Sequence, residues 1–78
     1  MKCAVIGLGE FGRAAAVGLA KNGVEVIAAD INMDRVNVIK DQVALAVRLD
    51  ASQEHAIQAH GIEEVDVLIA AMKDEIHG

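Results

Sequence analysis

The sequence has little of what marks a secreted, membrane-spanning or disulfide-stabilised protein. Its 78 residues include no proline, tryptophan or tyrosine, and only one phenylalanine and one cysteine. A single cysteine excludes a disulfide within the chain. The apolar runs are of strand length, well short of the roughly 20 residues of a membrane helix, and residues 1–3 lack the zones of a signal peptide. We therefore expect a cytosolic chain.

Basic residues are also few, since seven Lys and Arg stand against twelve Asp and Glu, giving a formal net charge of -5. This balance repels nucleic-acid backbones and anionic lipid, so no nucleic-acid partner is expected. Cys3 lies in an apolar run, which predicts a buried, unreactive thiol. His55, His60 and His77 have no carboxylate or thiol at the spacing of a zinc site, so we expect solvent-facing histidines and no metal.

Short apolar runs alternate with helical stretches along the chain. The predicted strands are residues 2–6, 24–29, 43–49 and 65–71, and the predicted helices between them are residues 10–22, 33–42 and 53–60. Gly23 and Gly61 end the first and third helices, and Asn32 and Ser52 stand where the second and third need an N-cap. No linker or repeat divides the chain, so residues 1–78 are expected to form one domain.

Helical crossovers between strands require a parallel sheet, and such crossovers are right-handed in nearly all proteins. The predicted fold class is therefore α/β, a Rossmann-like βαβαβαβ half-domain. Its sheet should have the order 3-2-1-4, with helices on both faces.

A glycine-rich loop, Gly7-Leu8-Gly9-Glu10-Phe11-Gly12, comes directly after the first strand and opens the first helix. In a G-x-G-x-x-G of this context, Gly7 allows the tight turn and Gly9 lets a pyrophosphate approach the main chain. Gly12 lets the helix pack closely. The positive end of the helix dipole then faces the phosphates.

Asp30 closes the second strand, where its carboxylate can accept hydrogen bonds from both ribose hydroxyls of an adenosine. The same carboxylate would repel a 2′-phosphate, which favours NAD-like ligands over NADP. The alternative is that the glycines serve only close packing and that Asp30 is a surface acid.

Two further segments reach the carboxyl end of the sheet. Asp50, followed by Ala51, could receive the adenine amino group or could simply help to start the third helix, and the sequence does not decide between these roles. Ala70, Ala71 and Met72 end the fourth strand, where small residues leave room for ribose and phosphate or simply pack well.

Four segments carry a resemblance that extends beyond a generic Rossmann pattern. They are the glycine loop with Val5 and Ile6 before it, residues 28–32, residues 49–52 and residues 61–71. Over essentially the whole chain the sequence resembles the N-terminal lobe of RCK (KTN, Trk-type) domains. The resemblance implies a cytosolic regulatory module, located in the cytoplasm or at the inner face of the membrane. Such a module binds NAD(H) or an adenine nucleotide and gates a potassium transporter or channel.

The resemblance also implies a distribution of the site residues. Gly7 through Phe11 would line the phosphates, and Asp30 and Asn32 would hold the adenosine ribose with Ile31 between them. Asp50 and Ala51 would flank the adenine. Ala71, Met72 and Lys73 would lie near the remaining phosphate or ribose.

The chain departs from the family pattern in two ways. Where relatives that bind adenine nucleotides often carry Arg, this chain has Glu10, which cannot pair with a γ-phosphate. NAD or NADH is therefore the expected ligand, ADP and AMP remain open and ATP is disfavoured, although Arg13 could compensate in part. The family's lobe normally continues beyond the fourth strand, so Val67, Leu68 and Ile69 are expected to form an exposed edge and to favour a homo-oligomer.

Two other functions remain open. One is the coenzyme-binding fragment of an NAD-dependent dehydrogenase, whose reacting groups would have to come from a second domain, because no catalytic residues are predicted here. The other is an oligomerisation module without a ligand. This second function accounts for the edge but not for the glycines together with Asp30.

Overall fold

The computed structural model describes residues 1–50 and 64–71 of the chain. Strands and helices alternate through the first of these ranges, and a last strand lies in the second. The elements are β1 (Lys2–Ile6), α1 (Glu10–Lys21), β2 (Glu25–Asp30), α2 (Met33–Ile39), β3 (Leu45–Arg48) and β4 (Val67–Ala70).

The four strands form one parallel sheet of order β3-β2-β1-β4. This confirms the predicted Rossmann-like arrangement, in which the chain moves outward from β1 to β3 and then crosses back to the other side of β1. Residues in register form rows across the sheet, one of which runs Leu45, Ile27, Ala4, Leu68.

Both α1 and α2 lie on the same face of the sheet. Ala16 of α1 and Val36 and Ile39 of α2 pack in one cluster with Cys3 and Val5 of β1. This follows from handedness, because two right-handed crossovers that move in the same direction put their helices on the same face. The second face carries its own apolar cluster, and the helix predicted to cover it, residues 53–60 with the Ser52 cap, lies outside the described residues.

The C-terminal end of α1 is formed by Asn22 and Gly23, as the sequence predicts. Gly23 has a φ of 85°, and the N–H of Val24 donates to the Leu19 carbonyl at 3.1 Å while that of Gly23 donates to Ala20 at 3.1 Å. This is the Schellman arrangement, in which a residue with positive φ satisfies the last carbonyls of a helix. Asn22, predicted as the last helical residue, is the C-cap.

Helix α2 and strands β3 and β4 are shorter than predicted, whereas β1 has its predicted bounds and β2 is shifted by one residue. Helix α2 ends at Ile39 instead of residue 42, and Ile39 is the last of its residues that is buried in the core. The chain then turns, with the N–H of Gln42 donating to the Ile39 carbonyl at 2.8 Å. Strand β3 has four residues, fewer than the seven of the apolar run, since only Leu45–Arg48 finds partners on β2.

The core is built from aliphatic side chains, as the composition requires. Val5 and Val26 are fully buried, and Cys3 is 1% exposed. Burial raises the pKa of the Cys3 thiol, which supports the prediction of an unreactive cysteine. In the two described ranges, neither helix has the length and apolarity needed to cross a bilayer.

Candidate functional site

Main-chain hydrogen bonds bring the ends of all four strands to one edge of the sheet. The N–H of Gly7 donates to the Ala29 carbonyl at 2.8 Å, and the N–H of Leu49 donates to the main-chain carbonyl of Asp30 at 3.0 Å. On the other side of β1, the N–H of Ala71 donates to the Ile6 carbonyl at 2.7 Å. The predicted site segments that the structure describes therefore lie at the carboxyl edge, where open α/β sheets bind ligands.

Gly7 and Gly12 shape the glycine loop together. Gly7 has a φ of 98°, which is strained for any residue with a side chain. A Cβ built on Gly12 would lie 1.7 Å from the Gly7 carbonyl oxygen and 3.2 Å from the Ala71 Cβ. Gly12 therefore lets α1 pack against the loop itself and against the end of β4, which is a closer fit than the general helix–sheet packing predicted for it.

Gly9 has a different environment. It is the N-cap of α1 in an extended conformation, and among residues 1–50 and 64–71 a Cβ placed on it would meet only the Arg35 Nη1 atom, at 4.0 Å. No steric conflict within these two ranges requires glycine here. The described residues leave open space in front of Gly9, as expected if a ligand group is to approach the main chain.

The first turn of α1 begins beside this open space. The helical hydrogen bonds of α1 start at Arg13, whose N–H donates to the Gly9 carbonyl at 2.9 Å. Within residues 1–50 and 64–71, nothing accepts from the N–H groups of Glu10, Phe11 and Gly12. Unpaired donors at the positive end of a helix dipole attract an anion, and the exposed Glu10 carboxylate at the first helical position also benefits from that field.

Asp30 is the buried polar residue of the site, with 6% of its surface exposed. Its Oδ2 accepts from the N–H of Leu8 at 2.6 Å, and its Oδ1 accepts from the N–H of Asn32 at 2.8 Å. The carboxylate therefore ties the tip of β2 to the glycine loop. The two features on which the sequence argument rests, the loop and the acid, are therefore in direct contact.

Arg35, which sequence reasoning overlooked, belongs to this site. It lies in the first turn of α2, and its Nη1 atom is 3.7 Å from Asp30 Oδ2. The available signal was its position five residues after the acid, since a short turn followed by a helix brings that residue back over the strand end. The guanidinium lies between the tip of β2 and Gly9.

Three other predicted residues, Phe11, Ile31 and Asn32, are exposed next to the loop and the acid in the chain. Phe11 is 70% exposed and Ile31 is 53% exposed, so neither serves the core. Asn32 is exposed and caps α2, because its side chain accepts from the N–H of Asp34 at 2.9 Å. This confirms the predicted N-cap.

Asp50 is half-buried directly after Leu49 and already has a partner within the molecule, so both roles considered for it stay open. Ala71 is half-buried against Gly12. Several predicted residues lie outside the described ranges: Ala51, Met72, Lys73 and the three histidines.

A parallel 3-2-1-4 sheet, a glycine loop that opens the first helix and an acid at the tip of the second strand define a Rossmann-type domain. Comparison with known families assigns it further: the TrkA-N domain matches residues 3–77, and the chain belongs to that family.

Three curated relatives match most of the chain. Ktr system potassium uptake protein C of Bacillus subtilis (strain 168) is 38% identical over 73 residues, covering 94% of this chain and 33% of its own length. Ktr system potassium uptake protein A of the same organism is 38% identical over 69 residues, covering 88% of this chain and 31% of its own. Protein A of Vibrio alginolyticus is 32% identical over 74 residues, covering 95% and 34%. The chain thus spans about a third of the length of these relatives.

Proposed function

We propose that this chain is the nucleotide-binding module of a potassium uptake regulator, and that it senses its ligand without chemically changing it. The observation that carries the proposal is the 2.6 Å hydrogen bond from the Leu8 N–H to Asp30 Oδ2. It joins a loop suited to phosphate and a carboxylate suited to ribose in one crevice. A single adenosine phosphate could therefore touch both.

The phosphate half of the site would use main-chain donors. The N–H groups of Glu10, Phe11 and Gly12 and the dipole of the 12-residue helix α1 face the open space at Gly9. Since Gly9 has no side chain, a phosphate oxygen can reach hydrogen-bonding distance of these groups. The fold accounts for Gly7 through its positive φ and for Gly12 through its close contacts, whereas the described residues leave the space at Gly9 for a ligand.

The ribose half of the site would use Asp30 and Asn32. Two oxygens of a carboxylate offer about four acceptor positions, and the main-chain bonds occupy two of them. The other two could accept from the 2′- and 3′-hydroxyls of a ribose. Because Asn32 Oδ1 is occupied as a cap, its contribution would come from the Nδ2 donor.

These groups favour some ligands over others. NAD or NADH is the proposed ligand, with ADP and AMP as the nearest alternatives, since all carry an unmodified adenosine ribose and a 5′-phosphate. The Glu10 carboxylate beside the first turn disfavours the extra charge of ATP. A 2′-phosphate would meet the Asp30 carboxylate, which disfavours NADP.

The role in transport is proposed from the relatives, each of which is by name a potassium uptake protein. In this proposal the module works in the cytoplasm, or at the inner face of the membrane through a transporter partner, and passes ligand binding on to a potassium pore. It would act as a homo-oligomer, with β4 at the contact.

Gly9→Asp tests the phosphate half without disturbing the fold. The extended conformation at Gly9 suits any residue, and Asp is a favoured N-cap whose carboxylate can accept from the N–H groups of Phe11 and Gly12. It would occupy those donors and repel a phosphate. We expect isothermal titration calorimetry to show at least about a tenfold loss of ADP and NAD affinity, with an unchanged or higher Tm.

Gly9→Asn is the matched control, because it caps the helix equally well but carries no charge. Its loss of affinity should be clearly smaller than that of Gly9→Asp. Equal ADP binding by wild type and Gly9→Asp would mean that no phosphate lies at the loop. A wild-type chain that binds none of NAD, NADH, ADP and AMP would overturn the proposed function as a whole.

A further inference from the structure

The glycine loop carries no cation of its own. Residues 7–12 contain one charged side chain, and it is the carboxylate of Glu10. A site built from main-chain donors alone would therefore hold a phosphate next to a like charge. A cation from another element would be needed to offset the negative charges of Glu10 and the phosphate.

Arg35 is the cation that the fold brings to this place. Its Nη1 atom lies 3.7 Å from Asp30 Oδ2 and 4.0 Å from the position of a Cβ on Gly9. These two reference points belong to different elements, the tip of β2 and the start of α1. A guanidinium that lies within 4.0 Å of both stands at the junction of the ribose and phosphate halves of the crevice.

The pairing with Asp30 does not by itself account for this position. Both oxygens of the Asp30 carboxylate already accept from main-chain N–H groups, so the acid is satisfied without Arg35. The Arg35 side chain is 54% exposed, and a pair with one partner in solvent contributes little to stability. Asp30 therefore orients the Arg35 guanidinium, but the position of the Asp30 carboxylate does not depend on Arg35.

A guanidinium has five N–H donors in a planar fork that matches two oxygens of a phosphate. The Nη1 end of the Arg35 fork lies near both Asp30 Oδ2 and the space in front of Gly9. A phosphate held there by the N–H groups of α1 would lie between those groups and the fork. This arrangement surrounds the anion with donors from two helices.

We propose that Arg35 recognises the 5′-phosphate of the bound adenosine nucleotide and supplies the positive charge that the glycine loop lacks. The inference rests on the proposed function and adds to it, because it predicts which chemical group of the ligand the Arg35 side chain contacts. Arg35 should distinguish adenosine phosphates from adenosine, and it should matter little for the nucleoside itself.

Arg35→Gln tests the inference with adenosine and ADP as paired probes. We expect ADP affinity to fall about tenfold or more, with a weaker dependence on salt concentration, while adenosine affinity changes less than about twofold. Arg35→Lys keeps the charge but loses the fork, so it should restore part of the ADP affinity.

Lys21→Gln is the matched control, since it makes the same charge change at an exposed cation in the last turn of α1, at the opposite end of the helix from the glycine loop. It should change both affinities less than about twofold. Equal losses of adenosine and ADP binding in Arg35→Gln would mean that Arg35 only positions Asp30, and no loss of either would leave it as a surface ion pair. Both results overturn this inference while leaving the proposed function intact, whereas a wild-type chain that binds neither probe overturns both.

Discussion

At the scale of single residues, the glycines of the loop divide into those that the fold requires and those that it does not. Gly7 needs a positive φ, and Gly12 has no room for a methyl group. Within the described ranges, Gly9 meets neither condition. The proposed function supplies a reason for glycine at this position, namely the approach of a phosphate to the main chain.

Gly12→Ala should destabilise the protein strongly. The new Cβ would lie 1.7 Å from the Gly7 carbonyl oxygen, so the main chain must shift. Overpacking of this kind typically costs about 1–3 kcal/mol, and in a domain this small each kcal/mol lowers Tm by about 4–8 °C. Thermal unfolding followed by circular dichroism measures the change.

Gly18→Ala is the matched control for this prediction, because it makes the same substitution in the same helix at a place where no described residue would lie within 4 Å of the new Cβ. Alanine is favoured over glycine in a helix interior by about 1 kcal/mol, so Tm should rise. A Gly12→Ala protein as stable as wild type would show that the loop does not need the close contact between α1 and Gly7.

Sequence alone could identify Asp30 but not its partners. The position of an acid after the second strand is visible in the residue order, and so is a glycine loop after the first. That the Leu8 N–H donates to Asp30 depends on the register of β1 and β2, which pairs Ile6 with Ala29. Arg35 was missed for the same reason, since its closeness to Gly9 comes from the packing of α2 and not from a motif.

At the scale of elements, β4 carries the most exposed large apolar side chain of the four strands. Leu68 is 54% exposed and Val67 is 37% exposed, and β4 stands at one end of the strand order. Exposed apolar residues on an edge strand favour association with a second chain. This is the physical basis for the proposed homo-oligomer.

Leu68→Lys should weaken that association, because a charged residue on an edge strand opposes strand pairing. Sedimentation velocity of the wild-type chain should give a dimer or larger species, and Leu68→Lys should shift it toward the monomer. Leu45→Lys is the matched control, since Leu45 lies in the same row on the opposite edge strand and is 45% exposed. A monomeric wild type, or equal effects of both variants, would contradict a contact through β4.

Element types were more predictable from the sequence than element ends. The alternation of apolar runs and helical stretches gave the type of all six described elements, and Gly23 and Asn32 marked two helix boundaries. The ends of β3 were misplaced because apolar residues continue beyond both of them, whereas α2 was predicted too long because Lys40 and Gln42 favour a helix as well as a loop. Which apolar residues pair or pack is decided by the neighbouring strand, and a run of hydrophobic residues does not carry that information.

At the scale of the whole molecule, the topology accounts for the position of the site. Right-handed crossovers put β1 and β2 side by side in the middle of the sheet, and the loops after these two strands meet above their carboxyl ends. The glycine loop follows one strand and Asp30 ends the other. Any chain that folds in this order must bring the two features together, which is why a short motif and one acid suffice to indicate a binding crevice.

The family to which the chain belongs fits this architecture, and the three relatives are about three times as long as the matched segment. In the proposed system, conversion of ligand binding into a transport response would fall to the partners of this domain.

The measurement that tests the central claim most directly is a titration with adenosine and with ADP, followed by the amide signals in ¹H–¹⁵N NMR spectra. The amides of Leu8 and Asn32 report on Asp30, to which they donate, and those of Glu10 and Phe11 report on the phosphate half of the crevice. We expect adenosine to shift mainly the first pair and ADP to shift both pairs with one common Kd. Shifts elsewhere on the molecule, or separate Kd values for the two pairs, would contradict a single crevice that holds ribose and phosphate together.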